Sequence, residues 1–477
     1  MTASADPAPD DRRWWALAVV ATAQLMVALD LTIMLIALPS AQADLGMSSG
    51  QGRWVLTGYA LALGALLILG GRIGDLLGRR TTLIIATLGF AAASALGGSA
   101  GEPGLLLAAR ALQGVAAALL APATLSLLPM MFPDPVERGR AFGVYAATLQ
   151  GGIAIGLLLG GALTEWLSWR WCMYINVPIA IAVALGAGLV VPAGRAARSI
   201  GLDLPGAVLA GAGLGALVFG VSEAETDGWG SAPVIGLLLV AVLALVAFLR
   251  WEGRARAALL PPRLLRSREL LGANSAFLIS SLGTNGAFLL LTYQAQSVLG
   301  YSALRTGVGF LPLILVIAVV ATRVTPRLMP RFSPRTLMAT GLAVIGLGLL
   351  AMTQLSVAGG YVSQLLVPLL LLGLGMGLSV GPIMHTATHV ERPQDVSAAS
   401  SLIRAAQQVG AALGTAVITT IAANYTTGDS LAEVVDGYAA ASAWSAGILA
   451  VTALGLVVLM RVRERGKPAE EPVTAGL

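Results

Sequence analysis

The sequence predicts an all-α polytopic membrane protein: fourteen transmembrane helices, arranged as two six-helix bundles plus a two-helix insert. Three observations carry that expectation. The 477 residues are 57% hydrophobic and 11% charged, with a mean hydropathy of +0.83, whereas soluble domains hold about 25% charged residues. The apolar residues come in unbroken runs close to the roughly 20 that a helix needs to cross a bilayer, unlike the weakly alternating segments of about ten residues in a β-barrel. The arginines, finally, crowd into alternate loops.

In chain order the candidate spans lie near residues 14–38, 53–73, 81–99, 104–128, 141–163, 174–193, 204–222, 232–250, 270–292, 304–322, 336–354, 362–384, 397–423 and 438–460. Turn chemistry separates them, as at Ala100-Gly101-Glu102-Pro103-Gly104, Phe132-Pro133-Asp134-Pro135, Pro261-Pro262 and Arg392-Pro393. Arginine-bearing loops follow spans 2, 4, 6, 8 and 10, from Arg72, Arg79 and Arg80 to Arg323, Arg327, Arg331 and Arg335; the opposite loops hold Arg53, Arg170 and Arg305. The arginine-rich side is therefore expected to be cytoplasmic, with both termini on it. Spans 1–6 end on that side and spans 9–14 begin there, so the expected units are residues 1–193, a two-span insert with linkers at 194–269, and residues 270–477. Segment 250–269 is expected either to lie along the membrane interface, with Trp251 and its leucines dipping in, or to be a plain solvated loop.

Composition excludes several classes of function. The formal charge of +5 is absorbed by topology and by contact with anionic lipid, which leaves no separate soluble domain for nucleic acid. Cys172 is the single cysteine, so no intrachain disulfide forms. His385 and His389 are the two histidines, and no H-E-x-x-H or C-x-x-C spacing points to a metal. No G-x-x-x-x-G-K-[ST] stretch is present, so no ATP-driven step and no cofactor are indicated. Asp6, Asp10 and Asp11 spoil the basic start of a signal peptide. Arginine in place of lysine suggests a GC-rich bacterial genome, hence the inner membrane of a bacterial cell.

Two charges stand inside the spans of the first half, and span 13 of the second half offers Arg404, Gln407 and Gln408. Asp30 interrupts the first apolar run, where a charge costs on the order of 3 kcal/mol; such residues mark ion or substrate paths, or else are hydrogen-bonded structural groups. Arg110 interrupts the fourth. Counted from the outer ends of their spans, Asp30 lies about 12 Å deep and Arg110 roughly 9–10 Å. Opposite charges at like depth are expected to pair, either as a fixed structural bridge or as a site where a proton or cationic substrate competes for Asp30.

Motifs then supply a resemblance. Gly71-Arg72-Ile73-Gly74-Asp75-Leu76-Leu77-Gly78-Arg79-Arg80 is similar to the signature loop of the major facilitator superfamily, with Leu76 where a base is usual. Its glycines permit a tight turn, and Asp75 is expected to cap the third span. Ala109-Arg110-Ala111-Leu112-Gln113-Gly114 resembles the R-x-x-Q-G motif. Gly152, Gly156, Gly160 and Gly161 resemble the antiporter glycine motif of the fifth span, with Leu157 in place of proline, which removes the reason for a kink and leaves a close-packing ridge. Trp169 to Pro178, together with Leu29-Asp30-Leu31-Thr32-Ile33, is similar to the 14-spanner drug:proton antiporter family. The resemblance implies the major facilitator fold, alternating access, and a latch from Asp75, with Gly71, Gly78, Arg79 and Arg80, to the start of span 13. It also implies a cavity lined by spans 1, 4, 9 and 12. Candidate cavity residues are Met26, Met34, Gln113, Asn274, Phe277, Ser281, Asn285 and Gln407, the methionines offering adaptable apolar walls, though amides here also serve as interhelical glue.

The function so implied is secondary active export of amphipathic or cationic drug-like compounds in exchange for protons, by a monomer in the lipid bilayer, with Asp30 and Arg110 coupling the proton. The alternatives are a dedicated exporter of one host-made antibiotic, siderophore or lipid-like metabolite, and, from other classes, a membrane enzyme or a scaffold.

Overall fold

The computed structural model describes residues 12–193, 203–255, 258–390, 392, 395–426 and 430–459. Its helices are α1 (Arg12–Leu45), α2 (Ser49–Leu77), α3 (Arg79–Gly98), α4 (Pro103–Met131), α5 (Pro135–Trp166), α6 (Trp169–Val190), α7 (Leu204–Asp227), α8 (Ala232–Glu252), α9 (Arg268–Val298), α10 (Arg305–Leu328), α11 (Pro334–Gln354), α12 (Val362–Thr388), α13 (Val396–Tyr425) and α14 (Leu431–Leu459). Thirteen of them are long and apolar enough to cross a membrane. The fourteenth, α5, runs for 32 residues and packs among them.

Local chemistry sets the helix starts. Ser48 forms a reciprocal capping box with Gln51 at the head of α2. Asp134, Ser267 and Ser333 accept backbone N–H groups at the heads of α5, α9 and α11. The helices outrun the apolar runs that announced them. α1 continues through Pro39 to Leu45, and α2 continues past residue 73 to Leu77, because backbone hydrogen bonding does not stop where side chains turn polar. At 34 residues α1 is about 51 Å long, well beyond the roughly 30 Å hydrocarbon core.

The same packing scheme appears twice. α1 lies against α5, α2 against α4, and α3 against α4 and α6; eight helices later, α9 lies against α13, α10 against α12, and α11 against α12 and α14. Glycine makes the first contact of each set possible. A methyl group on Gly152 would meet the Leu25 carbonyl of α1 at 3.3 Å, and one on Gly156 the Leu29 carbonyl at 3.0 Å. On α13, Gly410 and Gly414 sit just as tightly on the Leu278 and Leu282 carbonyls of α9. These are two six-helix bundles built on one plan. The insert lies to the side: α7 packs on α2 and α13, and α8 packs on α7 with Leu239, Val242 and Leu243 exposed.

The two bundles meet where α5 touches α10 and α12, and where α2 and α4 touch α13. Their tightest approaches are at the arginine-rich end. Gly71 of α2 lies against Ser401 and the Ser397 carbonyl of α13, and Gly143 of α5 lies against the Ala321 carbonyl of α10. The segment between α8 and α9 belongs to this end as well. Its leucines Leu259, Leu260 and Leu264 are buried in the protein core, neither dipping into lipid nor solvated as expected. Glu252 holds the turn by accepting from the Leu259 and Leu260 N–H groups, while Trp251 stays partly exposed and donates to Asp203.

Candidate functional site

A buried polar cluster sits inside the first bundle. Arg110 Nη1 donates to Asp30 Oδ2 at 2.6 Å and to Gln113 Oε1 at 2.7 Å, and its Nε donates to the Val55 carbonyl at 3.0 Å. Asp30 Oδ1 also accepts from Gln113 Nε2 at 3.0 Å and from Asn176 Nδ2 at 2.8 Å. Gln113 donates in turn to Ser94 Oγ at 2.7 Å. The Arg110 guanidinium lies 4.5 Å from the centre of the Tyr59 ring. Asp30 is 1% exposed and Arg110 0%.

Five helices bring these groups together, each for a local reason. Gly114 lets α2 approach α4 closely, since a methyl group there would strike the Tyr59 carbonyl; that approach delivers Val55 and Tyr59 to Arg110. Asn176 projects from the break at Ile175 inside α6. The i, i+3 spacing of Arg110 and Gln113 places both on one face of α4. Asp30 lies near the middle of α1, not about 12 Å from its end, because the helix runs on past Pro39 to Leu45; there Ala41 is buried, and Asp44 binds Arg170 at 2.6 Å and accepts from Trp169.

A second cluster joins the bundles. Tyr145 Oη of α5 shares a hydrogen bond with Thr124 Oγ1 of α4 at 2.9 Å and donates to Gln24 Oε1 of α1 at 2.8 Å. Arg404 of α13 reaches across to Tyr145 and to Gln24, and donates to Gln407 Oε1 at 2.8 Å.

At the arginine-rich end, Ser397 Oγ, in the first turn of α13, donates to Asp75 Oδ1 at 2.5 Å. Asp75 is part of α2 and does not cap α3, whose first residue follows Gly78 directly with no side-chain cap. Gly78 takes φ +87°, a value costly to any residue with a Cβ. Arg79 donates to the Ser126 carbonyl at 2.9 Å and lies 3.9 Å from Asp75; Arg80 donates to the Gly188 carbonyl. Beside the Asp75 contact, Asp395 takes two hydrogen bonds from Arg263, at 2.7 and 3.0 Å, and these bonds, helped by its charge, hold the Arg263 proton more firmly than usual.

Several expected cavity residues lie elsewhere. Met26 and Met34 are enclosed within the first bundle, so they line no open wall in this state. Gln113 is wholly spent on Asp30, Arg110 and Ser94. Asn274 and Asn285 each donate back to their own helix, at Leu270 and Ser281, and Asn274 Oδ1 is buried without a hydrogen-bond partner; Phe277 and Ser281 are buried. Gln407 is half-buried beside Arg404. Gly152, Gly156 and Gly160 pack on α1, whereas Gly161 faces open space and packs on nothing. Asn176, Tyr59, Gln24, Thr124 and Tyr145 were not anticipated as site residues. Asn176 alone carried a visible signal, as the polar residue of the Ile175-Asn176-Val177-Pro178 motif.

Two six-helix bundles with a lateral helix pair and charged groups sealed at mid-depth define a polytopic transporter. The chain belongs to the major facilitator superfamily, whose family model matches residues 20–415. It is 46% identical over 481 residues to the puromycin resistance protein pur8 of Streptomyces alboniger, covering 98% of this chain and 95% of that one. It is 40% identical to the cephamycin export protein CmcT of Amycolatopsis lactamdurans, over 89% and 87% of the two chains. The tetracenomycin C resistance and export protein of Streptomyces glaucescens is 34% identical, over 85% and 75%. Among solved structures, the human organic anion transporter MFSD10 (TETRAN) aligns with a TM-score of 0.66 at 18% identity, covering 94% of this chain and all of that one; that likeness shows the fold alone.

Proposed function

We propose that the chain is a proton-coupled exporter of an amphipathic antibiotic-like compound, working as a monomer in a bacterial inner membrane with its arginine-rich face and both termini in the cytoplasm. The observation that carries the reading is the buried Asp30–Arg110 pair, wrapped by Gln113 and Asn176. A scaffold has no use for two charges in a bilayer. The working units are residues 1–193 and 270–477, with 194–269 as the insert; residues 194–202 fall outside the described ones. The bundles rock about the contact of α2 and α5 with α13 and α10, and the Asp75–Ser397 contact holds the cytoplasmic end shut in the state described. A proton arriving at Asp30 cancels the charge that Arg110 faces, loosens α1 from α4 and α6, and biases that rocking. No cofactor takes part; the proton gradient supplies the work.

Breadth of substrate has two readings. Multidrug export follows from the resemblance to drug:proton antiporters. Dedicated export of one compound is favoured by the relatives, whose names each specify a single antibiotic. Purified protein in proteoliposomes carrying a pH-sensitive dye tests both. Puromycin and a cephamycin, the compounds that two relatives' names give, are the first to try, and a transported one is expected to start a proton flux in wild type and none in Asp30→Asn. A panel of unrelated cations then separates broad from narrow export. Equal proton flux in wild type and Asp30→Asn removes Asp30 as the coupling group.

A further inference from the structure

We infer that Arg404 anchors a carboxylate on the transported compound, with Gln407, Gln24 and Tyr145 completing the contact. This rests on the export reading and names a substrate class for it.

Arg404 is a buried cation without a counter-charge. It is 5% exposed, and among the described residues no carboxylate lies within 4.0 Å of it, in contrast to Arg110 with Asp30 and Arg79 with Asp75. Its partners are neutral oxygens, those of Tyr145, Gln24 and Gln407, and the Tyr145 ring, 5.1 Å away. Its Nε is buried and has no partner. A guanidinium stays charged at any physiological pH, and a buried charge left without its opposite is a strongly unfavourable arrangement. An incoming carboxylate relieves it, and suits the planar fork of donors better than any amide does.

Location gives the site access. Most of α13 from Val396 to Ala405 is buried, while positions 406–409, 411–413, 415, 417 and 419–421 are half-exposed, and none between Val396 and Ile421 is fully exposed. Arg404 therefore lies within one turn of half-exposed positions, Gln407 among them, which give a ligand its approach. There the Arg404 side chain bridges α13 to Gln24 of α1 and Tyr145 of α5. A carboxylate reaching Arg404 takes the guanidinium from Gln24 and Tyr145, and so changes the contact between the bundles.

The test is a binding titration by fluorescence anisotropy, with full-length protein in detergent. Its probes are rhodamine B, which has a free carboxylate, and rhodamine B ethyl ester, which has the same cationic ring system without one. Wild type is expected to bind the acid at least tenfold more tightly than the ester. Arg404→Gln is expected to lose that preference while ester affinity changes less than twofold; Arg404→Lys keeps part of it. Gln407→Glu, which supplies a carboxylate from within and keeps the arginine, is expected to abolish the preference as well. A role limited to holding the bundles together moves both dyes alike. No preference in wild type, or equal weakening of both dyes in the variants, overturns the assignment. The titration uses no proton gradient, so a failure of coupled export in vesicles leaves its outcome readable.

Discussion

Asp30 accepts from Arg110, Gln113 and Asn176 at once, and each partner predicts a different consequence of substitution. Asp30→Asn keeps the shape but sets an NH2 group against a donor and leaves Arg110 without its counter-charge, so the protein is expected to fold with a lowered melting temperature and to lose proton-driven export. Arg110→Ala leaves a carboxylate buried without its cation, a loss of about 3–5 kcal/mol, visible as a large fall in melting temperature and in yield from membranes. Asn176→Ala removes one hydrogen bond to a charged acceptor, about 1.5–3 kcal/mol. It is expected to melt between wild type and Arg110→Ala; an unchanged melting curve would show that the α6 contact is slack. The two charges announce themselves in the sequence because neither belongs in an apolar run. Their neighbours do not, since a serine on α3 and a tyrosine on α2 are ordinary in membrane helices until packing aims them at one point.

Pairs of helices show where small residues matter. The α5 ridge and the α13 ridge do the same work in their two bundles, setting Gly152 and Gly156 on α1, and Gly410 and Gly414 on α9. Gly156→Leu and Gly414→Leu each force a side chain into the facing backbone, and overpacking of this kind costs about 1–3 kcal/mol. Both variants are expected to melt at lower temperature and to transport poorly. Gly161→Ala, facing open space, is the control: with alanine's higher helix propensity its melting temperature is expected to match wild type or rise. A loss of stability there equal to that of Gly156→Leu would mean that the ridge includes a contact not seen in this state. α5 also runs unbroken through Leu157, as expected when proline is missing from that position.

The bundles as a pair raise the question of the latch. Asp75 meets Ser397 at the head of α13, and Gly71 and Ser401 close against each other one turn further along. Asp75→Asn weakens a charge-assisted hydrogen bond and is expected to open the arginine-rich end more often. Cys172 is buried and is the single cysteine, so Ser401→Cys on a Cys172→Ser background gives one reporter on a buried position of the interface. Maleimide labelling there is expected to quicken several-fold when Asp75→Asn is added, with transport falling at equal expression. Identical labelling rates with and without Asp75→Asn would remove the latch.

Sequence alone determined the helix count, the crowding of the arginines into alternate loops, the family motifs and the charged residues Asp30 and Arg110 within the first bundle, because each follows from composition or spacing along a chain that must hide its backbone from lipid. The glycine ridge on α5 was legible for the same reason, as a repeat of small residues. Three-dimensional packing decided what the charges touch, that Asp75 serves α13 instead of α3, and that Met26 and Met34 turn inward. It also decided that the leucines of the α8–α9 linker enter the core. Those facts depend on which faces meet between helices far apart in the chain, 146 residues for Asp30 and Asn176, 259 for Tyr145 and Arg404. Inside a bilayer every face of such a helix is apolar enough to be lipid-facing, so hydropathy does not tell which face turns inward; the fit of glycines against backbone and of donors to acceptors does.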